Sequence, residues 1–149
     1  MTVQINYKNS SSKKVSSNLV IFVDETFNIS VIKKHISNSE FSYISDLLKN
    51  SDLKKDLLIF EINSKKTIFL ASIKKDIKTS DIENLGAKFH SYINYDKKNN
   101  YFVNSDTINS KIKNFLGYFL HGIKLKSYEF KIYKSKKDKK ICFYKCNWK

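Results

Sequence analysis

Hydrophobic positions along the chain fall into short stretches of two kinds, and their alternation lays out the elements. Val3-Gln4-Ile5-Asn6-Tyr7 alternates with period two, the mark of a half-buried strand. A polar run at 9–14 ends it. Asn18-Leu19-Val20-Ile21-Phe22-Val23 is then apolar without interruption and rich in β-branched residues, which suits a central strand covered on both faces. Ile29, Ile32 and Ile36 are spaced for one helix face. Phe41, Ile44, Leu47 and Leu48 make a second, with Asn38 or Ser39 placed to cap it. Two strand patterns follow at 57–62 and 67–73, and Asn63-Ser64-Lys65-Lys66 between them is short enough for a hairpin.

Ser80-Asp81-Ile82-Glu83 has the spacing of a capping box, in which a Ser hydroxyl and a Glu carboxylate each satisfy a free N–H. Ile82, Leu85, Phe89 and Ile93 mark the buried face of that helix, with His90 at its edge. Tyr101-Phe102-Val103 reads as a short strand. Ser105 and Asp106 are placed to cap a long helix whose stripe is Ile108, Ile112, Phe115, Leu116, Phe119 and Ile123. Gly117 and Gly122 fall inside it, where glycine costs about 1 kcal/mol against Ala, so a close packing contact or a helix end is expected there. Residues 141–146 form a last strand. Strands alternating with helices predict an α/β fold with a mixed β-sheet flanked by helices on both faces. No repeat or Pro/Gly-rich linker divides the 149 residues, which read as a single domain over 1–149.

Composition changes this picture in two places. The net charge of +14 would ordinarily suggest a polyanion partner. Yet every cation is Lys, with no Arg to fork onto phosphates or guanines, and Pro is absent. That joint skew, with abundant Asn, Ile, Tyr and Phe, is what an AT-rich genome imposes on codon usage. The apolar stretches are far shorter than the ~20 residues a bilayer span needs, and the N-terminus has no apolar core of a leader peptide. A cytoplasmic protein without a membrane partner is expected.

Candidate chemistry is sparse. The sequence holds no G-x-G-x-x-G, Walker loop or G-x-S-x-G, and its acidic residues are scattered singly among lysines. Cys142 and Cys146 could be half of a metal or redox site, or two small apolar residues on one strand face. His35, His90 and His121 have no spacing that completes a zinc site with them. No catalytic or metal-binding set is expected in this chain.

The most particular stretch is Tyr128-Glu129-Phe130-Lys131-Ile132-Tyr133-Lys134-Ser135-Lys136-Lys137, after a long helix with small residues near its end. This order, with the early apolar strand and the Phe-x-x-Ile-Ser-Asp-Leu-Leu-Lys helix at 41–49, resembles the N-terminal domain of the leucyl (cytosol) aminopeptidase family. Tyr128, Phe130, Tyr133 and Lys134 carry the resemblance. It departs at Lys126, Glu129 and Lys131, where relatives have a small residue, Arg and Asp.

The resemblance implies a macro-domain-like fold in a non-catalytic assembly or regulatory domain. It implies a separate catalytic domain of the same protein holding two divalent metal ions (zinc or manganese), and a hexamer as the oligomer. Nothing of that catalytic signature occurs here. The alternative is a basic nucleic-acid-binding α/β module. Residues 131–149 hold eight Lys and one Asp, so Lys134, Lys136, Lys137, Lys139 and Lys140 are where DNA would be contacted. A macro domain that binds ADP-ribose is the third reading. It needs glycine-rich loops around the diphosphate, whereas Gly86, Gly117 and Gly122 fall within predicted helices.

Overall fold

The computed structural model describes residues 2–7, 18–95, 100–128 and 140–145. Six strands form one sheet: β1 (Thr2–Tyr7), β2 (Asn18–Asp24), β3 (Leu57–Asn63), β4 (Lys66–Ile73), β5 (Asn100–Asn104) and β6 (Lys140–Lys145). Their order across the sheet is β1-β6-β5-β2-β4-β3. The neighbours are parallel except β3, which runs antiparallel to β4 at one edge. The hairpin expected at 63–66 makes that antiparallel pair, and the mixed α/β sheet with helices on both faces is as predicted.

Strand β2 lies in the middle because it can be buried on both sides. Leu19, Ile21 and Val23 face one core cluster, with Ile68 and Leu70 of β4. Val20 and Phe22 face the other, with Phe69 and Ala71. A 3-10 helix (Ile29–Lys34) and helix α1 (Asn38–Lys49) close the first face through Ile32, Ile36 and Ile44. Helices α2 (Thr79–Tyr95) and α3 (Phe115–Ser127) close the second. Its centre is aromatic: Phe22 meets Phe115 and Phe119 edge-on, with ring centroids 5.3 and 5.2 Å away. Phe89 stacks edge-on against Phe69 and Tyr101 in the same way. Such pairs contribute roughly 0.5–1.5 kcal/mol beyond the area they bury.

Helix ends depart from expectation, each for a local reason. The α1 cap is Ser37, whose hydroxyl accepts from Glu40 N while Glu40 Oε2 accepts from Ser37 N. Helix α2 begins one residue before Ser80, so no box forms between Ser80 and Glu83. Instead Asp81 Oδ2 accepts from Lys78 N at 3.0 Å, and Glu83 turns to His121. The isoleucines at 29 and 32 lie on a 3-10 helix capped by Asn28, not on an α-helix. The last helix starts at Phe115, not near Ile108. Between them polar side chains satisfy the backbone in turns: Asn104 Oδ1 accepts from Asp106 N, and Ser110 Oγ from Ile112 N. Ile108 and Ile112 still pack on the core, from a loop.

The expectation for Gly117 and Gly122 holds: Gly117 lies in the first turn of α3, a helix end, and Gly122 makes a close packing contact, as does Gly86. A Cβ on Gly122 would lie 1.9 Å from the Glu83 carbonyl oxygen, and one on Gly86 would lie 2.1 Å from that of Phe119. These two residues let α2 and α3 touch backbone to backbone.

Candidate ligand cavity beside helix α2

In open α/β sheets, ligands enter at the carboxyl ends of parallel strands where successive connections leave to opposite faces. Here β2 leads to the α1 face, while its neighbours β4 and β5 lead to the α2–α3 face, so that point lies beside β2. Backbone N–H groups on either side of it are bonded to the chain's own side chains. Pairing of β2 with β5 ends at Ile21 and Asn104, and Thr107 Oγ1 then accepts from Phe22 N at 3.0 Å. On the other side Lys75 N points to Glu25 Oε2 at 3.4 Å.

The turn after β2 is likewise internally satisfied. Asp24 Oδ1 accepts from the Thr26 and Asn28 N–H groups and from the Thr26 hydroxyl. Those bonds, Asn28's first, hold the Asp24 carboxyl below its usual range. They also hold Phe27 at φ 53°, a left-handed conformation compensated by burial of its ring in the α1-side core. The chain's three glycines all lie in α2 and α3. No glycine is therefore available to bring bare backbone against a diphosphate at these strand ends.

A cavity of about 440 Å³ opens elsewhere, along α2 beside the end of β4 and the start of β3. Ile77, Leu85 and Ala87 give it an apolar part, while Asn84, Lys88 and Ser91 lie at i, i+4 and i+7 along α2. Lys126 reaches it from α3 and Lys74 from beyond β4. Asp56, just before β3, joins Lys74 to Lys88 of α2. Lys74 Nζ is 2.9 Å from Asp56 Oδ1, Lys88 Nζ hydrogen-bonds Asp56 Oδ2, and Ser72 N donates to the Asp56 carbonyl at 2.8 Å. The Lys88 and Lys74 hydrogen bonds keep the Asp56 carboxyl below its usual range, outweighing burial. Asp56 in turn raises the Lys74 ammonium above its own. Lys126 forms no ion pair with a described residue. The volume is within the range of small-molecule pockets, about 300–1,000 Å³.

Tyr128 is not among the described residues that line this cavity. Tyr128 ends α3 as its C-cap, with 78% of its surface exposed. Phe130, Tyr133, Lys134, Lys136, Lys137 and Lys139 lie outside the described residues, as does Cys146. Lys140 opens β6 opposite Thr2, and Cys142 is in register with Gln4 and Asn100. His90 is buried in α2, and His121 Nδ1 is 2.8 Å from Glu83 Oε1. Burial lowers the His35 pKa, partly offset by Asp106. Among the described residues no three His, Cys, Asp or Glu are grouped so as to hold a metal. No described helix is long and apolar enough to cross a membrane.

A mixed six-stranded sheet in this order, with its helices divided between the two faces, defines a macrodomain-like architecture. The chain is similar to the macrodomain of Thermus aquaticus DarG, with a TM-score of 0.63 over 98% of this chain and 99% of that one, at 8% identity. No family model matches the sequence, and no curated protein does. These findings correct the aminopeptidase resemblance and the metallopeptidase function it implied. The order of elements that supported it is met by a macrodomain along almost its whole length. The neighbour gives the nucleic-acid alternative no specific support either.

Proposed function

We propose that this chain is a non-catalytic binding module on a macrodomain scaffold, taking a small phosphate-bearing molecule in the cavity beside α2. The observation that carries the proposal is a space of about 440 Å³ with an apolar side that Lys126 also lines, a cation forming no ion pair with a described residue. An ammonium group binds phosphate as a point charge, and Ile77 and Leu85 offer contact for an uncharged part of the ligand. Catalysis is left out of the proposal because no described residue pairs a nucleophile with a base in this cavity.

ADP-ribose is the first compound to test, since the similar structure is a macrodomain. The contacts would differ from a glycine-loop cradle, because here side chains would hold the phosphates. Calorimetry of the protein with ADP-ribose and with ADP is expected to give heat of binding. Lys126→Ala is expected to weaken it about tenfold, the loss of one charge-assisted hydrogen bond. Absence of heat with both compounds would sink the proposal. A cytoplasmic location is part of the same proposal, and fractionation of tagged protein checks it.

A further inference from the structure

Two carboxylates of the protein line that cavity, Asp56 and Asp81, and Asp56 is the one held by lysines. The Asp56 carboxylate is shared between two ammonium groups, Lys74 Nζ at 2.9 Å from Oδ1 and Lys88 Nζ on Oδ2. The two lysines come from different elements, one following β4 and one in α2, so the tertiary fold makes them converge. Their side chains are 62% and 56% exposed, so neither needs Asp56 to offset burial. Two ammonium groups closing on the two oxygens of one oxyanion is also how a ligand's phosphate would be held.

We propose that Asp56 is a resident anion in a twin-lysine subsite, where it excludes ligand oxyanions from Lys74 and Lys88 and so sets the selectivity of the cavity. Lys126 is left as the open anchor for a ligand's charge. This assignment rests on the cavity being a ligand site. The position of residue 56 does not depend on its side chain, because its carbonyl accepts from Ser72 N at 2.8 Å. Substitution there therefore opens the subsite without shifting the edge of the sheet. Asp46 supplies the control. It also holds a lysine, with Lys49 Nζ 2.9 Å from its Oδ1, but it lies on α1 and is not among the residues lining the cavity.

The test is calorimetric titration with inorganic phosphate and with ADP. Asp56→Asn is expected to bind inorganic phosphate about tenfold more tightly than the natural protein. Adding Lys88→Ala to that variant should abolish the gain, and Asp46→Asn should change affinity by less than about threefold, as expected of a screened surface charge. Asp56→Ser makes the same comparison if circular dichroism shows Asp56→Asn to be misfolded. Phosphate affinity unchanged in both Asp56 variants overturns the assignment, as does an equal gain in Asp46→Asn. If the natural protein binds ADP and the Asp56 variants gain nothing, the resident-anion assignment alone falls. If the natural protein binds neither ADP nor ADP-ribose while Asp56→Asn gains phosphate, the ligand proposal falls and the resident anion stands.

Discussion

Gly122 sits against Glu83 so closely that a methyl group there would fall 1.9 Å from the Glu83 carbonyl oxygen. The obstacle is helix backbone, which cannot rotate away as a side chain can. Alanine should raise the intrinsic helix propensity of α3 by about 1 kcal/mol. Overpacking costs about 1–3 kcal/mol or more, and here it would force α2 and α3 apart along the face covering the aromatic core. Gly122→Ala is thus expected to destabilise by about 2 kcal/mol net, and Gly86→Ala similarly. Urea denaturation checks both; a midpoint unchanged or raised would show that separating the helices costs no more than the helix propensity gained.

A second relationship joins the sheet to α1. Lys66, buried at the start of β4, places Nζ 2.7 Å from Glu40 Oε1, while Glu40 Oε2 caps the helix at Ser37 N. Burial pushes the Glu40 carboxyl up, but Lys66 and the Ser37 N–H together outweigh it and hold it below its usual value. A carboxyl lowered in the fold adds stability above its unfolded pKa of about 4.3, and that stability is lost as pH falls through the lower folded value. Glu40→Ala removes the cap and leaves a buried ammonium unpaired, so a loss of about 2–3 kcal/mol is expected at pH 7. The difference between natural protein and variant should shrink below about pH 4. Thermal melts at pH 7 and pH 3.5 measure it, and an equal gap at both would exclude a role for the charged carboxylate.

The aromatic centre gives a third expectation. Phe119 is fully buried and lies edge-on to Phe22 at 5.2 Å and tilted against Phe89 at 5.8 Å. Phe119→Ala should cost about 3–5 kcal/mol, because three elements meet at this ring and cannot all close on the space left. Phe119→Leu should cost less than half of that. Denaturation of the two variants gives the ratio; near-equal losses would mean that ring geometry, not volume, decides.

What was legible in the sequence follows from the range of the interactions involved. The uninterrupted run at 19–23 could only be a strand covered twice, and Ile82, Leu85, Phe89 and Ile93 could only face a core; all nine are buried. The spacing of Ile108 and Ile112 misled because they contribute to the core from turns that Asn104 and Ser110 close. The cavity left no comparable mark. Asp56 and Lys88 are 32 positions apart, and each by itself looks like an ordinary charge on a lysine-rich surface. Tyr128 drew attention because its neighbours form an unusual string, yet it is exposed at a helix end, outside the cavity lining.

The strand-end crevice supplies the last prediction. Phe22 N lies just past the end of β2–β5 pairing, and its acceptor is the Thr107 hydroxyl, 85 positions away. Thr107→Val keeps the shape and removes that acceptor, leaving a buried N–H to bear a desolvation penalty of about 1–3 kcal/mol. Thr107→Ser retains the hydroxyl and should lose much less. Hydrogen exchange at the Phe22 amide is the sensitive readout, because the opening is local to the carboxyl end of β2. Exchange should quicken in Thr107→Val by about tenfold or more, with Thr107→Ser close to the natural protein. If Thr107 is what closes this crevice, Thr107→Val should quicken exchange at Phe22 more than at Val20, deeper in the same strand. Uniform acceleration along β2 would instead mean that Thr107 supports the whole sheet and that the crevice is closed by other groups.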